Sequence, residues 1–152
     1  LVMKKLLLSL ALASSCAYAA DIEHGKYINI YQADTYKVKM LRYGAEADSQ
    51  YLIKVTGIDN AQDGKIYLHT KKCDDTKCST YKYVTTQVHK PDGKQWFTIY
   101  NPGGWYNGDI LQPYLVEPDK EKRLYLSKSV QTISGIEVQD FIDEYNKQQA
   151  KK

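Results

Sequence analysis

The residues able to do chemistry in this chain are few and scattered. Cys73 and Cys78 enclose Asp74-Asp75-Thr76-Lys77, and a pair this close suits a structural disulfide in an oxidising compartment. A redox or metal pair would use C-x-x-C spacing or bring further ligands, whereas four residues intervene here, so a structural crosslink is expected. His24, His69 and His89 form no H-E-x-x-H or other close ligand pair, and each is expected at a surface strand end. No serine sits in G-x-S-x-G and the crosslink consumes both thiols, so the sequence shows no machinery for nucleophilic catalysis. Paired carboxylates could hydrolyse a glycan or peptide, but the separation they need is set by the fold, not by spacing along the chain. Asp59-Asn60-Ala61-Gln62-Asp63-Gly64 resembles the start of a calcium loop. Ala61 stands where an oxygen ligand belongs and Thr70 where the bidentate glutamate belongs, so a plain hairpin turn is expected. The expectation is no catalytic residue, no metal and no cofactor.

Binding chemistry is better represented. Asn101-Pro102-Gly103-Gly104-Trp105-Tyr106-Asn107-Gly108-Asp109 places two aromatic residues in a polar, glycine-rich loop. Trp105 and Tyr106 could offer their faces to a protein or a sugar ring, with Asn107 and Asp109 as polar contacts. The competing expectation is that Trp105 folds back to cap the core while the glycines satisfy turn geometry. Thirteen of the fourteen tyrosines follow residue 19, several beside lysine, as in Tyr81-Lys82-Tyr83. Such a pattern suits a wet sheet face that binds a partner, or equally half-buried strand tyrosines whose hydroxyls reach water.

The elements that must hold these residues read as an antiparallel all-β domain. Eight strands are expected: Tyr27–Tyr31, Tyr36–Tyr43, Gln50–Thr56, Lys65–Thr70, Tyr81–His89, Gln95–Tyr100, Ile110–Glu117 and Arg123–Ser129. Alternation puts Tyr36, Val38 and Met40, then Tyr51, Ile53 and Val55, on an inner face. By the same rule Ile66 and Leu68 face inward against Tyr67 and His69, and Leu124 and Leu126 against Tyr125. Pro91-Asp92-Gly93 is the strongest turn signal. Ser134-Gly135-Ile136-Glu137 reads as a capping box, followed by Val138, Phe141, Ile142 and Tyr145 at helical spacing. The fold class is mainly β, an antiparallel β-sandwich or partly open barrel of about eight strands with a C-terminal α-helix over about 135–148.

The N-terminus carries an address. Lys4-Lys5, the apolar run Leu6 to Ala13, and Ala17-Tyr18-Ala19 make up the parts of a secretory leader. Residues 1–19 are therefore expected to be a signal peptide starting at Met3, and residues 20–152 a single β-rich domain. Periplasmic or secreted localisation follows, with a lipoprotein acylated at Cys16 as the alternative; Ala13 and Ser15 fit that second route poorly. Of 21 basic residues, Lys4 and Lys5 leave with the leader, so 19 face 18 acids. This near-neutral, interleaved charge excludes the footprint of a nucleic-acid binder, and no later run is long and apolar enough to span a membrane as a helix. The function class expected is a small exported non-catalytic binding module, inhibitor-like or adaptor, with a protein partner first and a glycan second. The alternatives are a hydrolase with paired carboxylates and an assembly component docking by a strand edge.

Overall fold

A computed structural model of the chain describes residues 21–85, 96–105, 107–112, 123–132 and 135–151. The leader with Cys16, the Pro91-Asp92-Gly93 turn, Tyr106 and Ser134 of the capping box lie outside the described residues. Within them, nine antiparallel strands form one nearly closed, barrel-like sheet, followed by one helix. The strands are β1 (Ile28–Ala33), β2 (Tyr36–Arg42), β3 (Gln50–Thr56), β4 (Ile66–Cys73), β5 (Tyr81–Thr85), β6 (Trp96–Asn101), β7 (Ile110–Leu111), β8 (Leu124–Tyr125) and β9 (Ser127–Thr132). The helix α1 spans Gly135–Ala150.

From β1 to β8 each strand pairs antiparallel with the next in sequence, and β9 then pairs with β1. β8 and β9 are one extended run broken only at Leu126. Its first part pairs with β7 and its second with β1, so a single stretch of chain carries both edges of the sheet. At the break the Leu126 N–H donates to the Asp109 carbonyl at 3.0 Å, and the Ser127 hydroxyl donates to the Gln32 carbonyl at 3.2 Å. The run expected as one strand over Arg123–Ser129 is therefore two, which accounts for nine strands among the described residues where about eight were expected.

The interior follows from period-2 alternation. Val38, Met40, Ile53, Val55, Tyr83, Ile99, Leu111 and Leu124 meet in one buried cluster. A second cluster lies on the outer face, where Ile28, Leu41, Leu52 and Ile66 receive Val138, Phe141, Ile142 and Tyr145 of α1. A helix of 16 residues is marginal alone in water, so this apolar stripe fixes it in place. The outer cluster corrects the reading of β4: Ile66 and Leu68 serve the helix, and Tyr67 and His69 point into the barrel. Both faces of β4 are covered, so its inward set could not be chosen from hydrophobicity alone.

The helix is also tied by polar contacts. Gln148 accepts from the Ile66 N–H at 2.8 Å and donates to the Ile66 carbonyl at 2.7 Å, pairing with β4 much as a neighbouring strand would. Lys54 on β3 bridges Glu144 at 2.7 Å.

Candidate functional site

Two loops meet at the end of the barrel where β4 leaves and β5 enters. The β4–β5 loop carries Cys73 and Cys78 at disulfide-bonding distance, with Cα atoms 4.8 Å apart. Inside it, the Asp75 carboxylate accepts from the Ser79 N–H at 2.8 Å, from the Ser79 hydroxyl and from the Thr80 N–H at 3.4 Å. The Ser79 bond first, then these backbone donors, hold the Asp75 carboxyl below its ordinary range. The loop is thus braced by a covalent link and by a side chain that satisfies its backbone.

The β6–β7 loop is built on Asn101, which is buried at the end of β6. Its Oδ1 accepts from the Gly103 N–H at 2.9 Å, and its Nδ2 donates to Asn107 Oδ1 at 3.2 Å and to the Tyr81 hydroxyl at 3.4 Å. Gly103 has φ +65°, and a Cβ there would stand 2.8 Å from Thr80 Cγ2 and 3.2 Å from the Ser79 carbonyl. Only glycine permits that approach, and it seats the second loop on the first. Two residues on, Trp105 is 90% exposed, the most exposed of the large apolar side chains described. Asn107 is exposed beside it.

Asp109 lies deeper. Its carboxylate accepts from the Tyr81 hydroxyl while its carbonyl accepts from Leu126, so it ties the loop root to the seam between β8 and β9. Around it, Tyr31, Tyr51, Tyr81 and Tyr83 pack beneath the platform. Tyr83 meets Tyr51 and Tyr81 edge to face at 5.3 and 5.7 Å, and the Lys71 ammonium lies 4.0 Å from the Tyr81 ring centroid. Burial and then the hydrogen bond to Asp109 raise the Tyr81 phenol to about 12. Burial and then the Asp109 charge raise Tyr83 and Tyr31 as well. These phenols therefore keep their protons near neutral pH. Of the two readings of Tyr81-Lys82-Tyr83, the structure agrees with packed strand tyrosines and not with a wet binding face: both rings belong to the inner cluster, where aromatic faces can pack on each other, and Lys82 lies over Phe97 at 5.0 Å on the other side of the sheet.

The structure thus brings Trp105 and Asn107 to one surface and turns Asp109 toward the seam; Tyr106 is outside the described residues. Asn101, Gly103, Tyr81 and Asp75 position this surface; the sequence reading gave the loop glycines a part in it through turn geometry and close backbone approach, and named none of the other three for that role. Asn-Pro-Gly-Gly after a strand is a signal that could have found Asn101, because an Asn side chain at a strand end often caps the turn that follows.

A second polar spot lies in the interior. His69 is 1% exposed, which overturns its expected surface position: residues two apart share a face, and Tyr67 and His69 both turn inward. Its Nδ1 is 2.8 Å from the Tyr67 carbonyl and its Nε2 is 2.6 Å from the Thr98 hydroxyl. A carbonyl only accepts, so Nδ1 carries the proton of the neutral ring, and Nε2 accepts from Thr98. Thr98 reaches this point because it is the extra residue of a bulge: Tyr83 pairs with Ile99, and Val84 already pairs with Phe97. Burial pushes the imidazole down to about 4, against a smaller opposing effect of the Tyr67 carbonyl. A hydroxyl on an oriented imidazole has the layout of a nucleophile and its base. The adjoining cavity, lined by Ile53, Ile58, Gln62 and Tyr67 among others, holds about 10 Å³, room for roughly one water and not for a substrate.

Among the described residues, no group of three or more His, Cys, Asp or Glu could hold a metal ion, and no helix is long and apolar enough to cross a membrane. In the calcium-like turn, Asp63 Oδ1 accepts from the Gly57 and Ile58 N–H groups at 2.8 and 3.0 Å, so it braces the hairpin. Compared with protein-family models, with curated proteins and with solved structures, the chain matches none.

Proposed function

We propose that this chain is a small exported, non-catalytic binding module of the bacterial envelope that captures a protein partner through the Trp105 platform. The observation that carries this is a tryptophan held in water by a loop that is itself tightly braced. Tryptophan is the residue most enriched where partners contribute binding energy, and a braced loop has little conformational freedom left to lose on association. Export rests on the leader-like N-terminus, and the cysteine pair fits a non-cytoplasmic, oxidising compartment. Near closure of the barrel leaves little bare strand edge, which favours capture by a loop over docking by an edge.

The test is parallel affinity capture from envelope extract with the wild-type chain and with Trp105→Ala, read by mass spectrometry. A protein retained in stoichiometric amount by the wild type and lost with the variant, at an unchanged melting temperature, is the expected result. Loss of folding in Trp105→Ala would assign the ring to the core, and equal retention by both would move the binding surface elsewhere. Release of the retained material by glycan-degrading enzymes would make the ligand a sugar.

A further inference from the structure

Asn107 is followed by Gly108, and of the five asparagines in the chain it alone precedes a glycine. We propose that Asn107 is a self-modifying site, converting spontaneously to aspartate and isoaspartate and so altering the platform from within.

The reaction needs an exposed amide, an unhindered backbone nitrogen on the next residue, and water. Asn107 is exposed, and Gly108 has no Cβ to shield its nitrogen. Among the described residues none accepts a hydrogen bond from the Gly108 N–H, so its proton is open to base. Asp63-Gly64 makes the contrast: there the Gly64 N–H is engaged by the Val55 carbonyl at 2.9 Å. The Asn101 Nδ2–H donates to Asn107 Oδ1 at 3.2 Å, which draws electrons from the amide carbon and leaves the departing nitrogen unencumbered. Base removes the Gly108 amide proton, the nitrogen pair attacks Asn107 Cγ, and Nδ2 leaves as ammonia, closing a cyclic imide. Water then opens the imide at one carbonyl or the other, giving aspartate or isoaspartate. One amide and one water become one carboxylate and one ammonium ion, and no oxidant or metal takes part.

The other asparagines serve as internal references. Asn101 precedes Pro102, whose nitrogen has no proton to lose. Asn29 lies in β1 and Asn146 in α1, where regular backbone holds the following nitrogen away from the side chain. Asn60 precedes Ala61, whose methyl group crowds the attack. The outcome at Asn107 is a new negative charge two residues from Trp105 or, for isoaspartate, one more carbon in the backbone of the loop. In its consequence for partner capture the proposal rests on the binding role of this loop, whereas the chemistry stands without it.

The full chain is aged in mildly alkaline buffer, and each asparagine is followed by peptide mass mapping and by enzymatic methylation of isoaspartate. Asn107 is expected to convert at least about tenfold faster than any other asparagine, and Gly108→Ala to slow it by a similar factor. Conversion at Asn107 no faster than at Asn60, or an intact Asn107 while a synthetic peptide of the same loop converts, would overturn the proposal. Aged and fresh chains are then compared in partner capture. Loss on ageing in the wild type, with retention in Gly108→Ala, supports the coupling to binding. Unchanged capture by fully converted chain removes that coupling and leaves the measured chemistry standing.

Discussion

His69 makes the acid stability of this protein predictable. Its ring sits in the barrel interior as the neutral form, protonated on Nδ1, and burial holds its pKa to about 4 against an ordinary 6.5. Between those two values the unfolded chain takes up a proton that the folded chain refuses. Stability therefore rises with pH across this window and falls as acid is added. The full gap corresponds to about 3 kcal/mol, and about 2 kcal/mol is already lost at about pH 5. Against the roughly 5–15 kcal/mol that holds a domain of this size folded, such a loss is readily measured.

The assay is urea unfolding at neutral pH and at about pH 5, for the wild type and for His69→Gln. Glutamine does not titrate but offers a donor and an acceptor to Tyr67 and Thr98. The variant starts less stable at neutral pH, because its amide fits the imidazole site imperfectly. Its pH dependence is expected to be shallower than that of the wild type by about 2 kcal/mol over the interval. All other titrating groups are common to both proteins and cancel in the difference. Parallel stability profiles for the two proteins would refute the reasoning and place a proton on His69 in the folded state.

Three further outcomes follow from contacts already described. Gln148→Ala bares the Ile66 N–H and carbonyl, so unfolding free energy should fall by about 1–3 kcal/mol in urea titrations, with the β content unchanged at low denaturant. Gly103→Ala forces a side chain into a left-handed position and against Thr80; a loss of about 1–3 kcal/mol in the same assay, with a shift in Trp105 fluorescence, is expected. Replacing Cys73 and Cys78 by serine frees a short loop in the unfolded chain and should lower stability by about 2 kcal/mol while far-ultraviolet circular dichroism keeps its shape.

The parts of this fold legible in the sequence were those whose outer face stays polar over most of its length, even where α1 covers Leu41 and Leu52. On β2 and β3, lysines alternate with apolar residues, and Val38, Met40, Ile53 and Val55 lie inside as the period requires. The α1 stripe was legible for the same reason. β4 was not: Ile66 and Leu68 meet the helix while Tyr67 and His69 fill the interior, and a strand covered on both sides loses the contrast on which periodicity depends. Trp105 illustrates a different limit. Composition marked the loop, yet whether the ring folds inward depends on Asn101 and Gly103 fixing the chain that precedes it, and those contacts join residues brought together only by the fold.

Closure of the barrel was the least legible feature, and it explains why the candidate site is where it is. A meander of hairpins is readable from turn signals, but nothing local says that its last strand returns to its first. Here the return occurs at Leu126, where the chain stops pairing with β7 and starts pairing with β1. The residue opposite that switch is Asp109, whose carbonyl holds Leu126 and whose carboxylate holds Tyr81. The loop that displays Trp105 therefore grows out of the seam itself, rooted in Asn101 on one side and Asp109 on the other. A seam is where a nearly closed sheet is most free to part, so the same contacts that close the barrel also stiffen the loop. Disturbing Asp109 should consequently move both properties together, whereas disturbing Trp105 should move only binding.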